Sequence, residues 1–100
     1  MQSGRSRGLN KDEMEELFCT YILISEKNGR YYIGHTADLA ERLIAHNTGK
    51  VKSTHNKGPW KCVYFEKYST KLEANRRELE IKKQKSRKYI EDLIFNNTRK

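Results

Sequence analysis

Leu17–Gly34, LFCTYILISEKNGRYYIG, decides the fold. From Leu17 to Ser25 the residues are almost all β-branched, aromatic or aliphatic, with no charge, which is the signature of a buried strand. Asn28-Gly29 is the strongest short-range hairpin signal, so Arg30–Gly34 reads as a second, antiparallel strand ending at Gly34. With Asn28 and Gly29 as the turn, Lys27 faces Arg30 and Ser25 faces Tyr32. Residues paired across strands share a face, and side chains alternate with period two, so Tyr21, Leu23 and Ser25 lie on the same face as Tyr32. A four-residue loop keeps this parity; a three-residue loop reverses it. The two tyrosines then stand roughly 7–13 Å apart at the backbone, within reach of long side chains.

Beyond the hairpin the pattern turns helical. Asp38 with Glu41 forms an Asp-type capping box, with Thr36 as an alternative cap. Leu39, Leu43 and His46 share a helix face, Arg42 and His46 are four apart, and Gly49 supplies the stop. Residues 50–57 form a polar, basic loop containing Lys50, Lys52, His55 and Lys57. Trp60–Tyr68, WKCVYFEKY, is a third strand. Thr70 and Glu73 form a second capping box for a helix running to about Lys83, and a last helix begins near Ser86 with Ile90, Leu93 and Ile94 as its apolar stripe. The expected fold is α+β: a three-stranded antiparallel sheet flanked by helices, in the order β-β-α-β-α-α.

Outside this unit, residues 1–16 read as a loose basic tail in which KDEMEEL could form a helical turn. Residues 17–95 form one domain and 96–100 a short C-terminal tail. Lys and Arg number 21 against 13 acidic residues, a net charge of +8 that points to a polyanionic partner, most often nucleic acid. The competing reading is a soluble basic protein without such a partner. No run approaches spanning length, no signal peptide opens the chain and no basic amphipathic helix stands out, so no membrane role and a cytoplasmic location are expected. Cys19 and Cys62 read as free thiols in a reducing compartment.

Several polar residues invite chemistry, each with a plain structural alternative. Ala74, Glu78, Ile81 and Lys85 fall on one helical stripe, Leu72 and Leu79 on roughly the opposite one, and periodicity leaves open which faces the sheet. Glu78 alone could be a solvated salt bridge to Lys82. His46 could be a helix-end histidine favoured by the dipole, and His35 a turn residue. Tyr21 and Tyr32 could be strand packing, Trp60 a core anchor, Glu73 a cap and Glu80 surface.

Taken together, these residues resemble the GIY-YIG nuclease domain. Tyr32-Ile33-Gly34 is the second half-motif; Cys19-Thr20-Tyr21 stands for the first and keeps only its tyrosine. Arg42 follows ten residues after Tyr32, His46 four further on, and Glu78 lies in the helix after the third strand. The resemblance spans roughly residues 17–95. It implies metal-dependent hydrolysis of DNA phosphodiester bonds with low sequence specificity, on single-stranded or structured DNA. In that scheme Glu78 holds Mg²⁺ or Mn²⁺ and Arg42 binds phosphate. Tyr21 takes a proton from the attacking water, provided its pKa is lowered. Tyr32 positions water or phosphate, and His46 orients a tyrosine or shuttles the proton. The tyrosine roles can be exchanged, and direct attack by a tyrosine stays open. His35, Lys50, Lys52, His55, Lys57 and Lys82 are expected to contact the nucleic-acid backbone. The alternative is a non-catalytic nucleic-acid-binding module of the same fold.

Overall fold

A computed structural model of the chain describes residues 17–98. The tail at 1–16, its expected helical turn before Leu17, and residues 99–100 lie outside the described residues. Strands β1 (Phe18–Ser25), β2 (Tyr31–Thr36) and β3 (Trp60–Tyr68) alternate with helices α1 (Leu39–Asn47), α2 (Lys71–Gln84) and α3 (Arg87–Thr98), in the expected order β-β-α-β-α-α. A short 3₁₀ turn, Lys52–Thr54, interrupts the basic loop. All pairings are antiparallel and β1 is central, so the sheet order is β2-β1-β3 and β2 is an edge.

The hairpin differs from expectation in two respects. Ser25 bonds to Arg30 across a four-residue loop rather than a two-residue turn, with Gly29 at φ +75. The Ser25 hydroxyl draws the loop tight by accepting from the amides of Lys27 and Asn28. Tyr32 therefore faces Leu23 instead of Ser25, and the shared face of the two tyrosines survives because the loop changed by an even number. Second, Gly34 does not end β2. His35 and Thr36 continue the ladder opposite Thr20 and Cys19, so His35 is a strand residue and not a turn residue. The partner strand is long enough to keep satisfying backbone groups beyond the glycine.

Each face of the sheet carries its own core. On one side Cys19, Tyr21, Leu23 and Trp60 pack under Leu39 and Leu43 of α1, with Tyr32. On the other, Ile22 and Ile33 meet Ile81 of α2 and Ile90 of α3. Helix α1 begins as Asp38 accepts from the Glu41 amide, and α2 as Thr70 accepts from the Glu73 amide, caps worth about 1 kcal/mol each. The ambiguity in α2 resolves clearly: Ala74 and Ile81 are buried while Leu72 and Leu79 are exposed, so the stripe carrying Glu78 faces the sheet. Two contacts fix that rotation. The buried Thr20 hydroxyl donates to the Ala74 carbonyl at 2.7 Å. The Arg77 guanidinium forks onto Glu66 of β3 at 2.9 and 3.1 Å. Helix α3 continues to Thr98, past residue 95. Cys19 is buried and Cys62 half-buried, both free. Among the described residues no helix is long and apolar enough to cross a membrane.

Candidate active site

The edge strand β2 organises the polar residues. Even-numbered Tyr32 and Gly34 face α1; odd-numbered Ile33 and His35 face α2. Tyr21 stands directly across from Gly34. A β-carbon placed on Gly34 would lie 2.6 Å from Tyr21 Oη and 2.8 Å from Cζ, so the phenol occupies the space a side chain would fill. The glycine thus lets the phenol cross the neighbouring strand to the open edge of the sheet, and its backbone needs no left-handed conformation to do so.

Around that phenol the other aromatics converge. The Tyr21 and Tyr32 ring centroids are 6.4 Å apart, and each ring meets the His46 imidazole, at 5.9 and 4.8 Å. Tyr21 Oη lies 3.0 Å from His46 Nε2, and His46 Nδ1 lies 2.8 Å from Thr54 Oγ1. His46 lies in the last turn of α1, as a helix-end histidine would, yet it is only 2% exposed. Burial, helped by the nearby Arg42 charge, lowers its pKa to about 4, which keeps it neutral. Burial also pushes Tyr21 up to about 12; the Arg42 guanidinium opposes this, while Tyr32 and the Glu78 charge add to it. The expected lowering of the Tyr21 pKa is therefore absent in the protein alone, because desolvation outweighs the single nearby cation.

Arg42 is exposed at the first turns of α1 and forms no ion pair among the described residues. Its guanidinium is left to other partners. With His35, Thr36, Lys71, Phe18 and Ala37 it lines a groove of about 380 Å³. A neighbouring concavity joins Arg42 to Lys50. His35 enters the groove from the α2 side and Arg42 from the α1 side, so the two layers meet at the β2 edge.

Glu78 closes the arrangement from below. It does not point into bulk solvent: its side chain is 12% exposed, and its charge acts on the Tyr21 phenol. Oε1 lies 2.6 Å from His35 Nδ1 and Oε2 2.6 Å from Lys82 Nζ. The salt bridge to Lys82 exists and is partly solvated on the lysine side, while His35 holds the other oxygen of the more buried carboxylate. Among the described residues no three His, Cys, Asp or Glu side chains converge on a metal position. Glu78 alone could serve: each of its oxygens keeps a second lone pair, and a hard cation takes its remaining ligands from phosphate and water.

The remaining basic residues are scattered. Lys82 sits at Glu78. Lys52 and Lys57 are exposed on the loop, and His55 lines a separate concavity with Asn47 and Pro59. Sequence reading missed Thr54 and Lys71. Thr54 lies in a polar loop where nothing local marks it as buried, yet it is 1% exposed. The loop is folded inward because Trp60 Nε1 donates to the Thr54 carbonyl and Asn47 exchanges two hydrogen bonds with the Trp60 backbone.

A family model described as the GIY-YIG catalytic domain matches residues 17–90. The chain belongs to the GIY-YIG family. Membership places it in a nuclease family. Its relatives include the UPF0213 protein of Streptococcus pneumoniae serotype 4, 37% identical over 79% of this chain and 82% of that protein. The UPF0213 protein of Staphylococcus saprophyticus is 42% identical over 72% of this chain and 94% of that protein. The solution NMR structure of the UPF0213 protein from Bacillus halodurans is 35% identical, covering 78% of this chain and 82% of that one, with a TM-score of 0.49. None of these names states an activity. In GIY-YIG terms, Tyr32-Ile33-Gly34 supplies the strand edge, and Gly34 is the gap through which the tyrosine of the first half-motif passes.

Proposed function

We propose that the protein is a metal-dependent endonuclease that hydrolyses DNA phosphodiester bonds with low sequence specificity. One observation carries the reading: a guanidinium with no carboxylate partner among the described residues, two phenols, a neutral imidazole and a half-buried carboxylate meet from both sides of one sheet edge. A structural role alone does not call for this convergence of polar groups at one sheet edge.

Arg42 offers its planar fork to the non-bridging oxygens of the scissile phosphate, and Lys71 extends the positive lining along the backbone, with His35 as a further polar group. Glu78 would hold a divalent cation, which when bound supplies charge stabilisation on the phosphate and the departing 3′ oxygen. Tyr32 has no hydrogen bond to another described residue, so its hydroxyl is available to position the attacking water. Tyr21 accepts a hydrogen bond from that water. A neutral phenol cannot retain a second proton, so as the water proton arrives the phenol's own proton passes to His46 Nε2. The new bond joins the water oxygen to phosphorus and the broken one releases the 3′ oxygen. The gap between a phenol near 12 and an imidazole near 4 opposes this transfer. An arriving phosphodiester narrows it, because negative charge raises the imidazole pKa. Lysines 50, 52, 57 and 82 and His55 give salt-sensitive backbone affinity without sequence choice.

A non-catalytic binding module is the second reading. It is favoured by the engagement of Glu78, whose two oxygens already meet His35 Nδ1 and Lys82 Nζ. One assay separates the two: incubate the protein with single-stranded, duplex and branched DNA, in Mg²⁺ and in EDTA. Cleavage in Mg²⁺ that EDTA removes is expected; binding without cleavage in every arm identifies the module.

A further inference from the structure

We infer that Thr54, in the loop after α1, is a positioning residue: it fixes the tautomer of His46 and thereby directs the Tyr21 hydroxyl proton onto His46 Nε2. The inference rests on the catalytic reading for its purpose, but on hydrogen-bond accounting for its content.

Tyr21 is 1% exposed, so its hydroxyl proton needs an acceptor inside the protein. Among the described residues its hydroxyl has one hydrogen-bond partner, His46 Nε2 at 3.0 Å, and the nearby Arg42 guanidinium has donors only. The phenol must therefore donate to His46, and Nε2 must carry no proton. A neutral imidazole then bears its proton on Nδ1, which points at Thr54 Oγ1, 2.8 Å away. Thr54 accepts it and passes its own hydroxyl proton to the Val51 carbonyl at 3.3 Å. Reversing the chain would make Nε2 a donor to Tyr21 and strand the buried phenol proton. The donors thus run in one direction, from Tyr21 through His46 and Thr54 to the Val51 carbonyl. With its proton on His46, Tyr21 keeps its lone pairs free to accept.

Thr54 is held for this task by elements remote from the tyrosine. Its carbonyl accepts from Trp60 Nε1, its amide donates to Val51, and the 3₁₀ turn places its hydroxyl over the α1 histidine. Neither Thr54 nor Val51 lines the groove with Arg42, so the residue acts through His46 and touches no substrate.

The imidazole ¹⁵N shifts and couplings of His46, recorded by NMR on the full chain near neutral pH, test this without a nuclease assay. Wild type is expected to show a protonated Nδ1 and a bare Nε2. Thr54→Ser, which keeps the hydroxyl, should retain that pattern. Thr54→Val, which keeps the shape and removes the acceptor, should move the proton to Nε2 or mix the two forms. A wild-type spectrum with Nε2 protonated overturns the inference, whether or not the valine variant folds. A valine variant that folds and keeps the wild-type tautomer overturns it as well. If the full chain cleaves no DNA yet shows the expected shifts, the catalytic reading fails and the positioning role of Thr54 stands. Where cleavage is present, Thr54→Val should lower kcat about tenfold with KM little changed, and Thr54→Ser should restore it.

Discussion

Tyr21 Oη stands 2.6 Å from the point where Gly34 would carry a β-carbon, so the edge strand is built around the absence of one methyl group. The contact is with a ring packed against His46 and Tyr32, which cannot swing aside freely. Gly34→Ala is accordingly expected to displace the phenol, costing about 1–3 kcal/mol of stability. Cleavage should fall because the Tyr21–His46 bond at 3.0 Å is broken. Chemical denaturation and a cleavage assay on the same preparation check both. An alanine variant of unchanged stability and activity would mean that the glycine matters for some other reason.

Glu78→Gln keeps the shape and removes the charge. Mg²⁺-dependent cleavage should drop to the level seen in EDTA, with the melting temperature within ~5 °C of wild type, because the weakened contacts to His35 and Lys82 are partly solvated. Thermal unfolding followed by circular dichroism and a metal titration of cleavage provide the comparison. Cleavage at the wild-type rate removes the carboxylate from any metal role.

Arg42→Ala should lower kcat by about 100- to 1000-fold while DNA affinity changes far less, since charge on phosphate grows in the transition state. Arg42 has no carboxylate partner among the described residues, so its loss strands no buried charge. Fluorescence anisotropy with the same oligonucleotide separates binding from rate. Equal losses of both would make Arg42 a binding contact only.

Stability should be highest between roughly pH 6.5 and 10. His46 is held at about 4 when folded, below its ordinary value, so its neutral form stabilises the fold above pH 6.5 and that contribution is lost as pH falls toward 4. Glu66, lowered by Arg77 and the Tyr64 and Tyr68 hydroxyls despite the opposing effect of burial, adds to the loss on the acid side. Tyr21, Tyr64 and Tyr68 are raised to about 12, so their neutral forms stabilise below pH 10 and that contribution is lost as pH rises through 12. Urea midpoints measured across this range test the shape, and His46→Gln should flatten the decline between pH 6.5 and 4 relative to wild type.

Element order, the capping of α1 and α2, and the shared face of Tyr21 and Tyr32 were legible in the chain because each depends on short-range rules: side-chain period, turn parity and local hydrogen bonds. The hairpin loop was harder to read. Asn28-Gly29 fits a two-residue turn, yet the Ser25 hydroxyl stabilises a longer one by capping two amides, a contact with no period to reveal it. The end of β2 was misread for a similar reason. Gly34 resembles a strand breaker until the ring of Tyr21 is seen lying over it.

By itself, then, the sequence determined the elements, their order and the residue types able to act on a phosphodiester, since all of these follow from neighbours a few positions apart. Only the tertiary structure decided which stripe of α2 meets the sheet, that His35 reaches Glu78, and that Thr54 lies buried against His46. Those outcomes depend on packing between segments 8 to 54 residues apart and on desolvation, which raised the Tyr21 pKa where a nearby arginine alone would have lowered it. Burial is a property of the whole assembled fold, and no local pattern in the chain encodes it.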